Sequence, residues 1–229
     1  MSADVRLIEV KAGILSANRK LGEEIRARLE KSGTFLLNIM SSPGSGKTSL
    51  ILRTIEALSP TRRIGVIEAD MDSTVDSDRI ASRGIQAVQL RTRGFCHVEA
   101  AMVEEALGFL SPEDFDLIII ENVGNLVCPA ECDTGAHANV VILSVPEGDD
   151  KPLKYPLIFT ACDAVVVNKV DYLGLEAFDT AALRSRVSKL NPRAAVFELS
   201  CRSGVGLSGW LDWLSTRLKE LTPARRISS

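Results

Sequence analysis

Residues 35–48 read Phe-Leu-Leu-Asn-Ile-Met-Ser-Ser-Pro-Gly-Ser-Gly-Lys-Thr. An apolar run over 36–40 stops at a glycine-bearing turn, and a helical pattern opens at Lys47. Strand, turn and helix in that order are the context a phosphate-binding loop requires. Gly44 and Gly46 let the backbone wrap tightly with its N–H groups pointing inward. Those groups and the start of the next helix attract phosphate oxygens. Lys47 sets a point charge against the β- and γ-phosphates, and Thr48 offers a hydroxyl to Mg²⁺. The candidate phosphate-binding set is therefore Gly44, Ser45, Gly46, Lys47, Thr48 and Ser49. Ser41 stands where the general pattern G-x-x-x-x-G-K-[ST] has its first glycine, which alters the entry to the loop without abolishing binding.

On either side of this loop, short apolar runs alternate with helical patterns. Strands are expected at 35–40, 64–68, 87–90, 117–120, 140–145, 164–167 and 195–198. Helices are expected at 47–57, 75–83, 97–109, 178–190 and 207–221. The alternation predicts an α/β fold of the P-loop NTPase type, a mostly parallel sheet with helices on both faces. Before it, Leu7, Val10, Ile14, Ala17, Leu21, Ile25 and Leu29 recur at helical spacing, so residues 5–31 read as an amphipathic helix, with Gly13 and Gly22 as candidate breaks. The expected organisation is an N-terminal helical extension over 1–32, a nucleotide-hydrolysing domain over 33–222 and a flexible tail over 223–229. Residues 146–155 read as a polar surface loop.

The 229-residue chain carries 45% hydrophobic residues, enough for a core without disulfide or metal staples. Net charge is −3, and no basic block is long enough to grip a phosphate backbone, so nucleic acid is excluded as the main partner. Apolar runs fall far short of the ~20 residues of a membrane span. Residues 1–10 lack the apolar core of a signal peptide, so a cytoplasmic location is expected. Five cysteines, all after residue 95, then read as reduced thiols.

A second loop speaks for the base. Val165-Val166-Val167-Asn168-Lys169-Val170-Asp171 closes a strand with Asn-Lys-x-Asp. The Asp171 carboxylate can accept from both the N1–H and the 2-amino group of guanine. Adenine offers neither donor, so such a site rejects it strongly. Asn168 can bond the ring edge, and the stem of Lys169 can cover the base face. Ser200 and Cys201 follow another strand, either as a further guanine contact or as a plain turn.

Magnesium ligands are sought where apolar strands end in acids. Glu121 ends the run over 117–120, and Gly124 follows in a position to sense the γ-phosphate. Asp70 ends another strand and is the second Mg²⁺ candidate. Asp72 is a candidate for positioning water. Both aspartates also read as helix caps before Val75, Asp72 more so than Asp70. The catalytic set is Lys47, Asp70, Asp72 and Glu121, and the Mg²⁺ set is Thr48, Asp70 and Glu121.

Cys96 and His97 are adjacent just before a helical pattern, and Cys128 follows Gly124. From a loop or helix start both neighbours can reach one metal, and a helix N-terminus favours the thiolate. Thiolate and imidazole suit Zn²⁺ or Ni²⁺. Three ligands leave the site incomplete; a dimer axis, a water or Cys132 can complete it, and His137 is a further candidate. Free cysteine is also commonly a small buried hydrophobe, the reading preferred for Cys162.

Taken together, the segments 41–49, 67–70, 96–100, 121–131, 144–156 and 168–171 resemble the hydrogenase nickel-incorporation GTPases, the HypB family. The resemblance implies delivery of nickel to the maturing large subunit of [NiFe] hydrogenase. It implies a Zn²⁺ or Ni²⁺ site at Cys96, His97 and Cys128, and a GTP-dependent homodimer with the metal at its interface. It also implies a contact from Lys151 or Lys154 to the partner protomer, and work alongside a HypA-type accessory protein. No Cys precedes Cys96 and no His precedes His97, so nickel storage by an N-terminal stretch is not expected. The run 132–137 departs from the family's more usual Phe-Asp-Leu-Gly. Rival readings are a GTPase chaperone for another metalloenzyme, of the urease or cobalamin-enzyme type, and a non-catalytic metal-binding scaffold.

Overall fold

The computed structural model describes residues 10–70, 84–92 and 94–221. Among the described residues, seven strands form one parallel sheet: β1 (Phe35–Ser41), β2 (Ile64–Asp70), β3 (Gln86–Arg91), β4 (Leu117–Gly124), β5 (Ala138–Ser144), β6 (Ala164–Asn168) and β7 (Ala195–Glu198). Their order is β3-β2-β4-β1-β5-β6-β7. Central β1 is buried along its whole length and β4 in all but its last residue. This is why their sequences are continuous apolar runs and show no alternation.

Helices cover both faces. On one face, α2 (Lys47–Leu58) and the C-terminal helix Leu207–Leu221 pack Leu50, Ile51, Ile55, Trp210, Leu214 and Leu218 against Leu37, Ile39, Val66, Ile119 and Val140. On the other face lie α1 (Val10–Ser32) and α3 (Ala100–Phe109), with Ile25, Leu29, Val103 and Leu107 against Leu36, Ile67, Ile118 and Ile120. Further along that face, α5 (Pro156–Ala161) and α6 (Thr180–Leu190) seat Ile158, Phe159, Leu183 and Val187 on Val141, Leu143, Val165 and Val167. Each such side chain, fully buried, contributes roughly 1.5–3 kcal/mol.

Several expectations change in detail. Neither Gly13 nor Gly22 breaks α1, which runs on through both. Gly22 serves close approach instead: a Cβ there would lie 2.8 Å from Cγ of Asp133. The helix expected from His97 starts at Ala100, because residues 96–99 are extended or bent and Glu99 caps in the β region. The expected loop 146–155 contains a 3₁₀ turn, Val145–Glu147, closed by Glu147 accepting from the N–H and hydroxyl of Ser144. A one-turn helix, α4 (Lys151–Lys154), follows with a proline in its first turn. Helix α6 begins at Thr180, where the carboxylate of Asp179 accepts from the N–H of Ala182 at 2.9 Å. The expected helix at 75–83, Asp72, residues 5–9 and the tail 223–229 lie outside the described residues. Among the described residues no helix is long and apolar enough to cross a membrane.

Candidate functional site

At the C-terminal ends of the strands the apolar faces give way to polar side chains. Continuing the row that faces α2, Glu68 follows Val66 and Glu121 follows Ile119. The two carboxylates are neighbours in the β2–β4 register and are 2% and 4% exposed. The Thr48 hydroxyl donates to Oε1 of Glu121 at 2.7 Å. Two buried carboxylates beside a hydroxyl at the P-loop are hard-oxygen donors that could hold a Mg²⁺ ion. Sequence reading missed Glu68, although a lone acid inside the apolar run 64–69 was the available signal. Asp70 ends β2 two residues further on.

The P-loop closes on itself. The hydroxyls of Ser41 and Ser45 both donate to the carbonyl of Ser42, at 2.7 and 2.9 Å. Nζ of Lys47 donates to Oγ of Ser41 at 3.1 Å, so the residue that replaces the usual glycine holds the lysine at the loop entry. Gly46 takes φ +104°, and a Cβ there would lie 2.3 Å from Nδ2 of Asn168. Gly124 is crowded too: its Cβ would lie 2.9 Å from Cγ of Pro43.

Asn168 ties three loops together. Its amide donates to the carbonyl of Ser45 at 2.9 Å, while its Oδ1 accepts from the N–H groups of Lys169 and Cys201 at 2.8 and 3.1 Å. These bonds join the three loops, a positioning role beside the contact to the ring edge of a base expected of this residue. Lys169, at φ +61°, sends Nζ across to the carbonyl of Gly44 at 2.8 Å. Asp171 stands exposed in the following turn, and Ser200 and Cys201 are buried behind it. Burial pushes the Cys201 thiol up to about 11, so it is a neutral spacer beside the loop.

The second cluster lies in the loops that follow β3 and β4. Ligand atoms of Cys96, His97 and Cys128 lie within 4.8 Å of one another. Cys96 Sγ is 3.7 Å from Nδ1 of His97. On the other side of the ring, Nε2 lies 3.2 Å from Oε1 of Glu99, and Cys132 joins those two in a second set of the same compactness. The neighbouring Cys128 sulfur, followed by burial, raises the Cys96 thiol, opposite to the depression expected from a helix N-terminus. The reason is positional, since the helix opens only at Ala100. Burial, then Glu99 and Glu131, push the Cys132 thiol to about 11.

Side chains fasten these loops to the sheet. Oδ1 of buried Asn122, next to Glu121, accepts from the N–H of Val98 at 3.2 Å. The amide of Asn125 donates to the carbonyl of Cys96 at 3.2 Å. From α1, Asn18 accepts from the N–H of Ala100 and donates to the carbonyl of Asp133, both at 2.8 Å. Arg26 forks onto the carboxylate of Asp133 at 2.8 and 3.1 Å. The N-terminal helix thus anchors both loops of the cluster.

His137 is drawn away from it. Its Nδ1 accepts from the N–H of Leu36 at 2.9 Å, its ring stacks on Phe35, and burial lowers its pKa to about 4. Cys162 is buried under α5, as read. Lys154 pairs with Asp150 at 2.6 Å, and Lys151 lies 3.9 Å from Glu147. Phe95 and Val127, which flank the cluster, are 53% and 58% exposed.

A family model, the CobW/HypB/UreG nucleotide-binding domain, matches residues 35–198. A hydrogenase maturation factor HypB of Azotobacter vinelandii is 45% identical, over 96% of this chain and 74% of the relative. A hydrogenase/urease maturation factor HypB of Helicobacter pylori is 40% identical, over 95% of this chain and 89% of the relative. The crystal structure of HypB from Helicobacter pylori in complex with nickel is similar with a TM-score of 0.85 at 38% identity, covering 89% of this chain and 96% of that one.

Proposed function

Since the chain belongs to the HypB family of CobW/HypB/UreG nucleotide-binding proteins, we propose that it is a GTP-hydrolysing metallochaperone that hands nickel to a maturing [NiFe] hydrogenase. The observation that carries this is the continuity of one chain segment. Glu121 takes the Thr48 hydroxyl at the P-loop; its neighbour Asn122 holds the Cys96–His97 loop; and four residues past the strand's end at Gly124 the chain reaches Cys128, in a 3₁₀ turn. A change at the phosphates is thereby connected to the spacing of the metal ligands.

The residues divide the work. Backbone amides of Gly44–Thr48 and the Lys47 ammonium hold the phosphates. Thr48, Glu121 and Glu68 supply oxygen ligands that fit Mg²⁺, with Asp70 and Asp72 as further candidates. When bound, Mg²⁺ neutralises charge developing on the β- and γ-phosphates. Asp171, exposed beside the Lys169 bridge, selects guanine through its two donors. Cys96, His97 and Cys128 take the borderline divalent cargo, Ni²⁺ or Zn²⁺. The apolar collar of Phe95 and Val127 serves a GTP-dependent homodimer across that cargo, and the partners are a HypA-type protein and the hydrogenase large subunit. One relative is named for urease as well as hydrogenase maturation, which supports a urease client as the second reading.

Nickel titration with GDP and with a non-hydrolysable GTP analogue tests the coupling. Wild type is expected to bind Ni²⁺ with affinities differing at least about 5-fold between the two nucleotides. Cys96→Ser is expected to lose roughly 10–100-fold in affinity and the difference with it. Identical Ni²⁺ affinity in both nucleotide states rules the coupled mechanism out.

A further inference from the structure

His97 presents one ring nitrogen to each of two ligand sets. Nδ1 faces Cys96 at 3.7 Å, with Cys128 completing that set, and Nε2 faces Glu99 at 3.2 Å, with Cys132 completing the other. In both, the candidate ligand atoms lie within 4.8 Å of one another. Ligands on a tetrahedral ion with bonds of about 2.0–2.3 Å sit roughly 3.3–3.8 Å apart, so modest rotations close either set.

We propose that His97, Glu99 and Cys132 form a second position for a borderline divalent cation, alternative to the position at Cys96, His97 and Cys128. The inference builds on the metal-handling function proposed above. A neutral imidazole has a single lone-pair nitrogen and one N–H. His97 therefore serves one set at a time. With the ion on Nδ1, the Nε2–H donates to the Glu99 carboxylate, the usual support for a metal-bound histidine. With the ion on Nε2, the ring carries its proton on Nδ1, exchanged through solvent, and Glu99 becomes a ligand. One imidazole, one thiolate and one carboxylate suit Zn²⁺, Ni²⁺ or Co²⁺.

The second position is built and reachable. Cys132 sits in a turn pinned by the bonds from Asn18 and Arg26 to Asp133, and by the N–H of Gly135 donating to Oδ1 of Asp133 at 2.8 Å. It borders an open cleft of about 230 Å³ lined also by Arg19, Arg26 and Glu131, through which a hydrated ion can arrive. An ion released by Cys96 or Cys128 when their loops shift would still be held, one imidazole ring away. Two positions sharing a ligand let the cargo change neighbours without entering bulk water.

Cobalt(II) titration of the full chain, followed by its thiolate-to-metal charge-transfer band, tests this. The Cys96→Ser/Cys128→Ser double variant is expected to retain one Co²⁺ per chain, with about half the wild-type band intensity. Adding Cys132→Ser should abolish the remaining band, and adding Glu99→Gln should weaken binding at least about 10-fold. Far-UV circular dichroism of each variant should match wild type. A double variant that binds no more Co²⁺ than His97→Ala, while wild type binds it, overturns the second position and leaves the proposed function standing. A residual band that survives Cys132→Ser overturns it as well. A wild type that binds no Co²⁺, Ni²⁺ or Zn²⁺ overturns both.

Discussion

The nucleotide cradle and the cysteine–histidine cluster lie at the same edge of the sheet, yet they are held by different means. The cradle is backbone tied to backbone through buried groups: Gly46 leaves no room for a Cβ, and Asn168 spends its amide joining the Ser45, Lys169 and Cys201 segments. The cluster hangs on half-buried loops fastened by single side chains, Asn18, Asn122, Asn125 and Arg26. A site that must present fixed donors to phosphate gains from rigidity. A site that must take and release an ion gains from loops whose anchors can shift singly.

The contrast breaks first at Gly46. Gly46→Ala forces a side chain into Asn168 at a positive φ, and GTP affinity measured by calorimetry is expected to fall at least about 100-fold. Near-normal affinity would mean that the cradle is as pliable as the cluster. Asn168→Ala removes two buried bonds and one partly buried bond at once and should cost about 3 kcal/mol in urea denaturation.

His137 closes the loop that leaves the cluster and adds a pH dependence. Its unperturbed pKa is 6.5 and burial lowers the folded value to about 4, so the unfolded chain takes up the proton first. Its contribution is complete above pH 6.5 and is lost as pH falls toward 4, amounting to about 3 kcal/mol. His137→Gln, whose carbonyl can still accept from Leu36, should flatten the pH profile of thermal unfolding between those values.

Asn18→Ala should separate the two regions directly. It releases Ala100 and the Asp133 turn, costing roughly 1–2 kcal/mol and about 10-fold in nickel affinity while GTP affinity holds. If GTP affinity falls equally, the regions are one unit. Arg28→Ala is the control: its pair with Glu104 is exposed on both sides, and a loss under about 1 kcal/mol with no effect on either ligand is expected.

The alternation of apolar runs and helical patterns placed all seven described strands; the five inner ones, buried on both faces, leave a local signature, and the half-buried edge strands β3 and β7 were marked by their place in the alternation. The P-loop was legible for a similar reason, since its strand, turn and helix are contiguous. Cys96, His97 and Cys128 were nominated from residue type and resemblance, and the fold brings their ligand atoms together. Less was legible where meaning depends on a distant neighbour. Gly22 looked like a helix break and proves to be the seat for Asp133. Glu68 looked incidental to Asp70, and the β2–β4 register sets it beside Glu121. Asn168 was read only through the base, and its role in joining Ser45, Lys169 and Cys201 needed the fold.

By itself, the sequence determined the sheet, the phosphate loop and the chemistry available to each site, since these follow from residue type and short-range order. Only the tertiary structure decided how that chemistry is grouped. It gave His97 a different set on each ring nitrogen, withdrew His137 to β1, and made the N-terminal helix the anchor of the cluster. Those outcomes turn on ångström-scale distances between residues far apart in the chain, set by strand register and loop path, and no local pattern encodes such distances.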